Sequence, residues 1–160
     1  MSTEPIPQEI EGFRVTGFSA RTSNPDEIAG AGRIADLWRR FAAEVHQLPG
    51  GPPIAVYDSY ESDHTGPYTI TVGNLADEHD PRPEGGVSNE VLSGLYLAYP
   101  VPEGEPSLSL GATWQQIWGD FSSPDFPWRR SFRCDFELHA PEGDREMVTH
   151  IFVGVEAPTR

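Results

Sequence analysis

The chain has 160 residues, a formal net charge of −14 carried without a single lysine, 37% hydrophobic residues and one cysteine, Cys134. A field this acidic repels phosphate backbones, which excludes direct nucleic-acid binding, and one cysteine excludes both a disulfide framework and a cysteine-based zinc site. The length fits one domain, residues 1–160, with a core large enough to need no staples, and no run reaches the roughly 20 apolar residues of a membrane span.

In chain order, residues 1–9 carry Pro5 and Pro7 and read as a flexible tail without a secretory signal, so a cytoplasmic location is expected. Loose alternation over residues 10–23 marks a first strand. Asn24-Pro25-Asp26-Glu27 has the form of a helix start, with Asn24 at the cap and Glu27 placed for a capping box. Gly30 and Gly32 weaken that stretch and move the continuous helix to Arg33. From there Ile34, Leu37, Trp38, Phe41, Ala42, Val45 and Leu48 make one apolar face, ended by Pro49-Gly50-Gly51-Pro52-Pro53. Residues 54–62 and 68–75 read as strands around the turn Asp63-His64-Thr65-Gly66-Pro67, and residues 76–89 as a linker loop.

The second half repeats the pattern: a strand over 91–101, a loop over 102–106, and a helix with Leu110, Trp114, Ile117, Trp118 and Phe121 on one face, capped by Ser107 or Ser109. Residues 122–127 break it. The next strand alternates strictly, with Phe132, Cys134, Phe136 and Leu138 on one face and Arg133, Asp135, Glu137 and His139 on the other. That places Cys134 as a small buried hydrophobe. A turn at Pro141-Glu142-Gly143-Asp144 leads to a last strand over 147–156.

Strand, helix, strand, strand is thus written twice, over residues 10–75 and 90–156, and local sequence supports a duplication. Leu37-Trp38-Arg39-Arg40-Phe41 is answered by Ile117-Trp118-Gly119-Asp120-Phe121, and Ile70-Thr71-Val72-Gly73 by Ile151-Phe152-Val153-Gly154. The fold class expected is α+β: duplicated β-α-β-β units with pseudo-twofold symmetry, antiparallel sheets, two main helices and a ligand groove where the halves meet. The same offset sets Tyr57 opposite Glu137 in the repeat.

Gly17-Phe18-Ser19-Ala20-Arg21-Thr22-Ser23, Leu37-Trp38-Arg39-Arg40-Phe41, the run from Val56 through Tyr60-Glu61-Ser62-Asp63, Trp114-Gln115-Gln116-Ile117-Trp118 and Asp135-Phe136-Glu137-Leu138 together resemble the GyrI-like, or AraC effector-binding, family of small-molecule-binding domains. The resemblance implies that Glu137 sits at the base of the groove and recognises lipophilic, often cationic, ligands among aromatic side chains. It also implies a role in transcriptional regulation, or in multidrug sensing or sequestration. Many relatives carry a helix-turn-helix segment before this domain; with about nine residues ahead of the first strand, a stand-alone form, acting alone or with a separate regulator protein, is expected. Trp38, Tyr57, Tyr60, Tyr96, Trp114, Trp118 and Trp128 are the candidate walls of the groove, about half of them expected to be core instead.

Two alternatives stand beside ligand binding. A desolvated Glu137 suits a general base, as in relatives that hydrolyse small strained electrophiles. A protein-interaction module is the other, supported by the acidic surface. No metal or cofactor is expected: His46, His64, His79, His139 and His150 lack ligand spacing, and neither a phosphate loop nor a nucleophile elbow is present.

Overall fold

The computed structural model describes residues 4–103, 106–142 and 145–156. Its strands are β1 (Ile6–Ile10), β2 (Phe13–Thr22), β3 (Pro53–Asp58), β4 (Tyr68–Ala76), β5 (Val87–Val91), β6 (Gly94–Pro100), β7 (Arg129–Glu142) and β8 (Arg145–Glu156). The helices are α1 (Asn24–Ile28), α2 (Ile34–Glu44), which runs into a 3-10 turn at Val45–Gln47, and α3 (Pro106–Ser122). All eight strands join one antiparallel sheet in the order β1-β6-β8-β7-β3-β4-β2-β5.

This order is a palindrome of the expected repeat. Units β2-α2-β3-β4 and β6-α3-β7-β8 pair through β3 and β7 at the centre, flanked by β4 and β8, then by β2 and β6. Val56 pairs with Phe136, its own counterpart at the offset of 80 that also relates Tyr57 to Glu137. The pseudo-twofold axis therefore passes through that pair.

Residues 6–9 are not a tail. They belong to β1, which pairs with β6 from Ile6↔Ala98 to Ile10↔Gly94. The linker over 76–89 is correspondingly shorter, because Val87–Val91 forms β5 against β2, and the strand expected over 91–101 is two strands broken at Leu92-Ser93. The strand preceding each repeat thus covers the outer edge of the other repeat, where unpaired backbone would otherwise invite association. Only Glu11 and Gly12 separate β1 from β2, yet these strands lie toward opposite ends of the sheet order. The sheet must curl until its ends meet, and there the Gly12 N–H donates to Ser93 Oγ at 2.7 Å.

The two faces of this curled sheet are both packed. One buries Val15, Val56, Val91, Tyr96, Phe136 and Phe152 from six strands, with Phe136 and Phe152 stacked at 4.6 Å. On the other, Leu37 of α2 joins Phe18, Tyr57, Ile70 and Val72, while Ile117 of α3 joins Leu97, Tyr99, Ile151 and Val153. Each such side chain removed from water contributes about 1.5–3 kcal/mol, and from Cys134 to Glu137 the alternation of β7 separates two interiors: Asp135 and Glu137 are buried while Arg133 is exposed.

Local corrections follow from capping. Ser23, not Asn24, caps α1, its Oγ accepting from the Asp26 N–H at 3.2 Å. Glu27 reaches forward, and its Oε2 accepts from the Arg33 N–H at 2.6 Å to close the start of α2. Ser107 and Ser109 lie inside α3, which opens on Pro106, a residue favoured in a first turn because its nitrogen has no proton to leave unpaired. The strand expected over 54–62 stops at Asp58, where Ser59 takes a left-handed φ of 51°. Residues 143 and 144 of the expected turn fall outside the described residues.

Candidate functional site

At the junction of the repeats, β3 and β7 form the floor and α1, α2 and α3 the walls of a cavity of about 290 Å³. Tyr57, Tyr60, Tyr68, Trp114 and Trp118 line it, with Asn24, Glu27 and Ile34 on the α1–α2 side. The rings touch in series: Tyr57 lies 5.3 Å from Trp114 and 5.5 Å from Tyr68, and Tyr68 lies 5.7 Å from Tyr60.

Glu137 lies immediately beneath, 1% exposed. Its Oε1 accepts a short hydrogen bond from the Tyr57 hydroxyl. Burial pushes its carboxyl up to about 7, and the Tyr57 hydroxyl and the Trp114 indole, by donating toward the charged form, hold it from rising further. The Trp114 approach falls short of an aligned bond, since Oε2 has no hydrogen-bond partner among the described residues. Burial, then the neighbouring carboxylate, raise the Tyr57 hydroxyl well above its usual range, so Tyr57 remains a donor. The site is a carboxyl poised between its two protonation states, screened from the cavity by the two aromatic groups that contact it.

Beside it is a second buried charge system that the alternation of β7 does not foretell. Arg130 pairs with Val155 and Asp135 with Val153 on β8, so residues 131–134 bulge out opposite Gly154 alone. Phe132 takes a φ of 54° there and turns onto Tyr60, ring to ring at 5.5 Å, instead of joining Phe136 in the opposite core. The bulge sets Arg130 next to Asp135 at 2.5 Å. Asp135 Oδ2 also accepts from the Tyr60 hydroxyl at 2.5 Å, and its Oδ1 from the Gly154 N–H at 2.8 Å. Both partners are buried, and a buried pair of this kind stands only when hydrogen bonds meet its remaining lone pairs.

The expected walls are distributed over three places. Tyr57, Tyr60, Trp114 and Trp118 line the cavity above Glu137. Trp128 lies with Trp118 around a neighbouring cavity. Trp38 packs edge-on against Phe41 and His139, both at 5.6 Å, and Tyr96 lies in the opposite core with its hydroxyl donating to the Leu92 carbonyl at 2.6 Å. Neither of those two reaches the groove. Sequence reasoning passed over Tyr68, although it shares the alternation of Ile70 and Val72 and so the face of Tyr57. It also passed over Asn24, whose Oδ1 accepts from the Tyr68 hydroxyl and whose Nδ2 donates to the His64 carbonyl, both at 2.8 Å. Among the described residues no three His, Cys, Asp or Glu side chains converge as metal ligands, and no described helix is long and apolar enough to cross a membrane.

Comparison with known proteins bears on this geometry. A Bacillus subtilis (strain 168) protein, YobU, is 29% identical over 132 residues, 79% of this chain and 80% of its own length. The crystal structure of integron cassette protein VCH_CASS2, from the mobile metagenome of Vibrio cholerae, superposes with a TM-score of 0.81 at 28% identity over 97% of each chain. The structure of SAV2435 bound to tetraphenylphosphonium shares the fold, with a TM-score of 0.67 at 15% identity over 96% of this chain and 94% of that one. The family model for Cass2, an integron-associated effector binding protein, matches residues 8–155. The chain belongs to that family of effector-binding proteins, related in fold to the GyrI-like domains.

Proposed function

We propose that the protein binds lipophilic aromatic cations in the cavity above Glu137, with that carboxylate as the charged anchor. The observation that carries this reading is the buried Glu137 carboxyl beneath Tyr57 and Trp114, pushed up to about 7 by burial. A cation brought to it offsets the desolvation of the charged form, and each ring face adds about 0.5–2 kcal/mol of cation–π attraction. The net charge of −14 draws cations toward the protein. The tetraphenylphosphonium bound by SAV2435, a protein of the same fold, supports the ligand class. In this reading the biological role is sensing or sequestration of multidrug-type compounds.

The test is a thermal-shift titration with tetraphenylphosphonium and the neutral triphenylphosphine oxide, on wild type and Glu137→Gln. At about 100 times its Kd a ligand adds roughly 2.7 kcal/mol of stability. Stabilisation of wild type by the cation alone, lost in Glu137→Gln, is expected. Equal responses to cation and neutral compound, or none, overturn the reading.

The same carboxyl favours one second reading. A glutamate titrating near neutral pH is suited to activate water as a general base, so hydrolysis of small strained electrophiles is its competitor. Product formed by wild type and not by Glu137→Gln decides for hydrolysis; binding without product decides against it.

A further inference from the structure

The aromatic series above Glu137 does not end at Tyr60. The Tyr60 ring lies 5.5 Å from that of Phe132, and Phe132, with Phe121, Phe126 and Trp128, lines a second cavity of about 270 Å³. The two spaces adjoin, since His64, Trp118 and Arg130 are walls of both. His64 stacks on Trp118, centroids 5.8 Å apart at an interplanar angle of 20°, so a pair of flat rings forms part of the shared wall.

The second cavity is apolar and preformed. Phe121, Phe126, Trp128 and Phe132 are each half-buried and so keep accessible ring surface. Phe121, Phe126 and Trp128 pack on the core around Tyr99 and Val155, and Phe121 meets Phe126 edge to face at 4.9 Å. Two turns brace the segment that carries Phe126: the Ser123 N–H donates to the Asp120 carbonyl at 3.1 Å and the Phe126 N–H to the Ser123 carbonyl at 3.2 Å. Pro124 and Pro127 restrict it further. Half-exposed rings gathered around one concavity are a feature of ligand grooves, and walls ordered beforehand lose little freedom when a ligand enters. Phe132 adds a second observation. Its left-handed φ of 54° is unfavourable for a bulky side chain, and backbone held in that way is concentrated at ligand-binding positions. Here it sets the ring against Tyr60 while the same ring lines the second cavity.

The two cavities differ in charge. Glu137 lies beneath the first, whereas in the second Arg130 is already paired with Asp135, and Asp63 and Arg129 bring one charge of each sign. Burial, then the nearby Arg130, lower the basicity of His64, so it adds no positive charge at pH 7. The second space therefore offers ring surface and no net charge.

We propose that the second cavity receives an uncharged aromatic group carried by the same ligand that Glu137 anchors. The preferred ligands are then elongated, a lipophilic cation at one end and a neutral ring on a flexible linker at the other, the linker passing Trp118. This rests on the cation reading of the first cavity and extends it from a preference in charge to a preference in length.

The test is calorimetric titration of butyltriphenylphosphonium and (phenylbutyl)triphenylphosphonium, which differ only in the terminal ring. Wild type, Trp128→Ala and Phe126→Ala are compared, and the Trp128 indole N–H resonance of wild type is followed by NMR. The terminal ring is expected to tighten binding to wild type by about tenfold or more. In each variant that gain falls below about threefold, while affinity for the butyl compound stays within about twofold of wild type. The Trp128 resonance moves with the phenylbutyl compound only. Where one variant fails to fold, the other variant and the wild-type resonance decide. Equal affinity of wild type for the two compounds, a gain that the variants keep, or an unmoved Trp128 resonance overturns this inference and leaves the cation reading standing. Failure of both compounds to bind wild type overturns the cation reading and this inference with it.

Discussion

Tyr57 and Glu137 hold the same position in two copies of one folding unit and are hydrogen-bonded to each other across the axis that relates the copies. A duplicated fold built of identical halves would meet itself here with like against like. In this chain one copy supplies a hydroxyl donor and the other a carboxyl acceptor, and the asymmetry creates a polar centre inside an aromatic cavity.

Stability should fall with rising pH because of Glu137. Its folded-state value, about 7, lies above the ordinary 4.5, so between these values the unfolded chain releases a proton that the folded chain keeps. The stabilisation is fully present below about pH 4.5 and is lost as pH rises through about 7, a change of about 3 kcal/mol. Urea denaturation of wild type from pH 5 to 8 should show this slope, and Glu137→Gln should lack it.

Cation affinity should move the other way. Only the ionised carboxyl attracts the ligand, so binding of tetraphenylphosphonium strengthens as pH rises through about 7 and releases protons. Calorimetry at pH 6 and 8 in buffers of different ionisation enthalpy measures both the trend and the released protons.

Tyr57→Phe removes the aligned donor to Glu137 and keeps the ring. The carboxyl should titrate above its wild-type value, because the hydroxyl is the leading influence that lowers it. A loss of about 1–3 kcal/mol is expected at pH 8, where the carboxyl is charged, and a smaller one at pH 5. Carbon-detected NMR titration and denaturation at the two pH values check this.

Asp135→Asn leaves the Arg130 guanidinium buried without its counter-charge. Breaking such a pair typically costs about 3–5 kcal/mol, measurable as a lower urea midpoint. A cost under 1 kcal/mol would show that the pair is not held as described.

Gly154→Ala probes the bulge. A Cβ at this position would meet the Cys134 carbonyl oxygen at 2.4 Å and Ser131 Oγ at 3.0 Å, so the bulged residues must shift, with an expected loss of about 1–3 kcal/mol. The tyrosine and arginine resonances of Tyr60 and Arg130 should move with it.

Much of this protein was legible in its sequence. The helical recurrence of Ile34, Leu37, Trp38 and Phe41, and of Trp114, Ile117 and Phe121, identified the two helices whose inward faces cover the sheet. Matching segments at a constant offset disclosed the duplication, because a repeat copies order and spacing as well as composition. The alternation that singled out Glu137 holds from Cys134 to Leu138, with Cys134, Phe136 and Leu138 in one core and Asp135 and Glu137 bonded to Tyr60 and Tyr57 on the other side.

The tertiary structure decided the rest. Periodicity reports which side of an element is apolar and not what that side meets, so Trp38 and Trp118, equivalent in the repeat, part company: one packs on His139 and the other lines both cavities. The short strand at Ile6–Ile10 acquires its role only from β6, over 80 residues away in sequence. The Arg130–Asp135 pair depends on a bulge against Gly154, and a bulge resets the two-residue alternation from which side-chain direction is read. Local sequence carries the pattern of burial; long-range pairing determines which buried groups face one another.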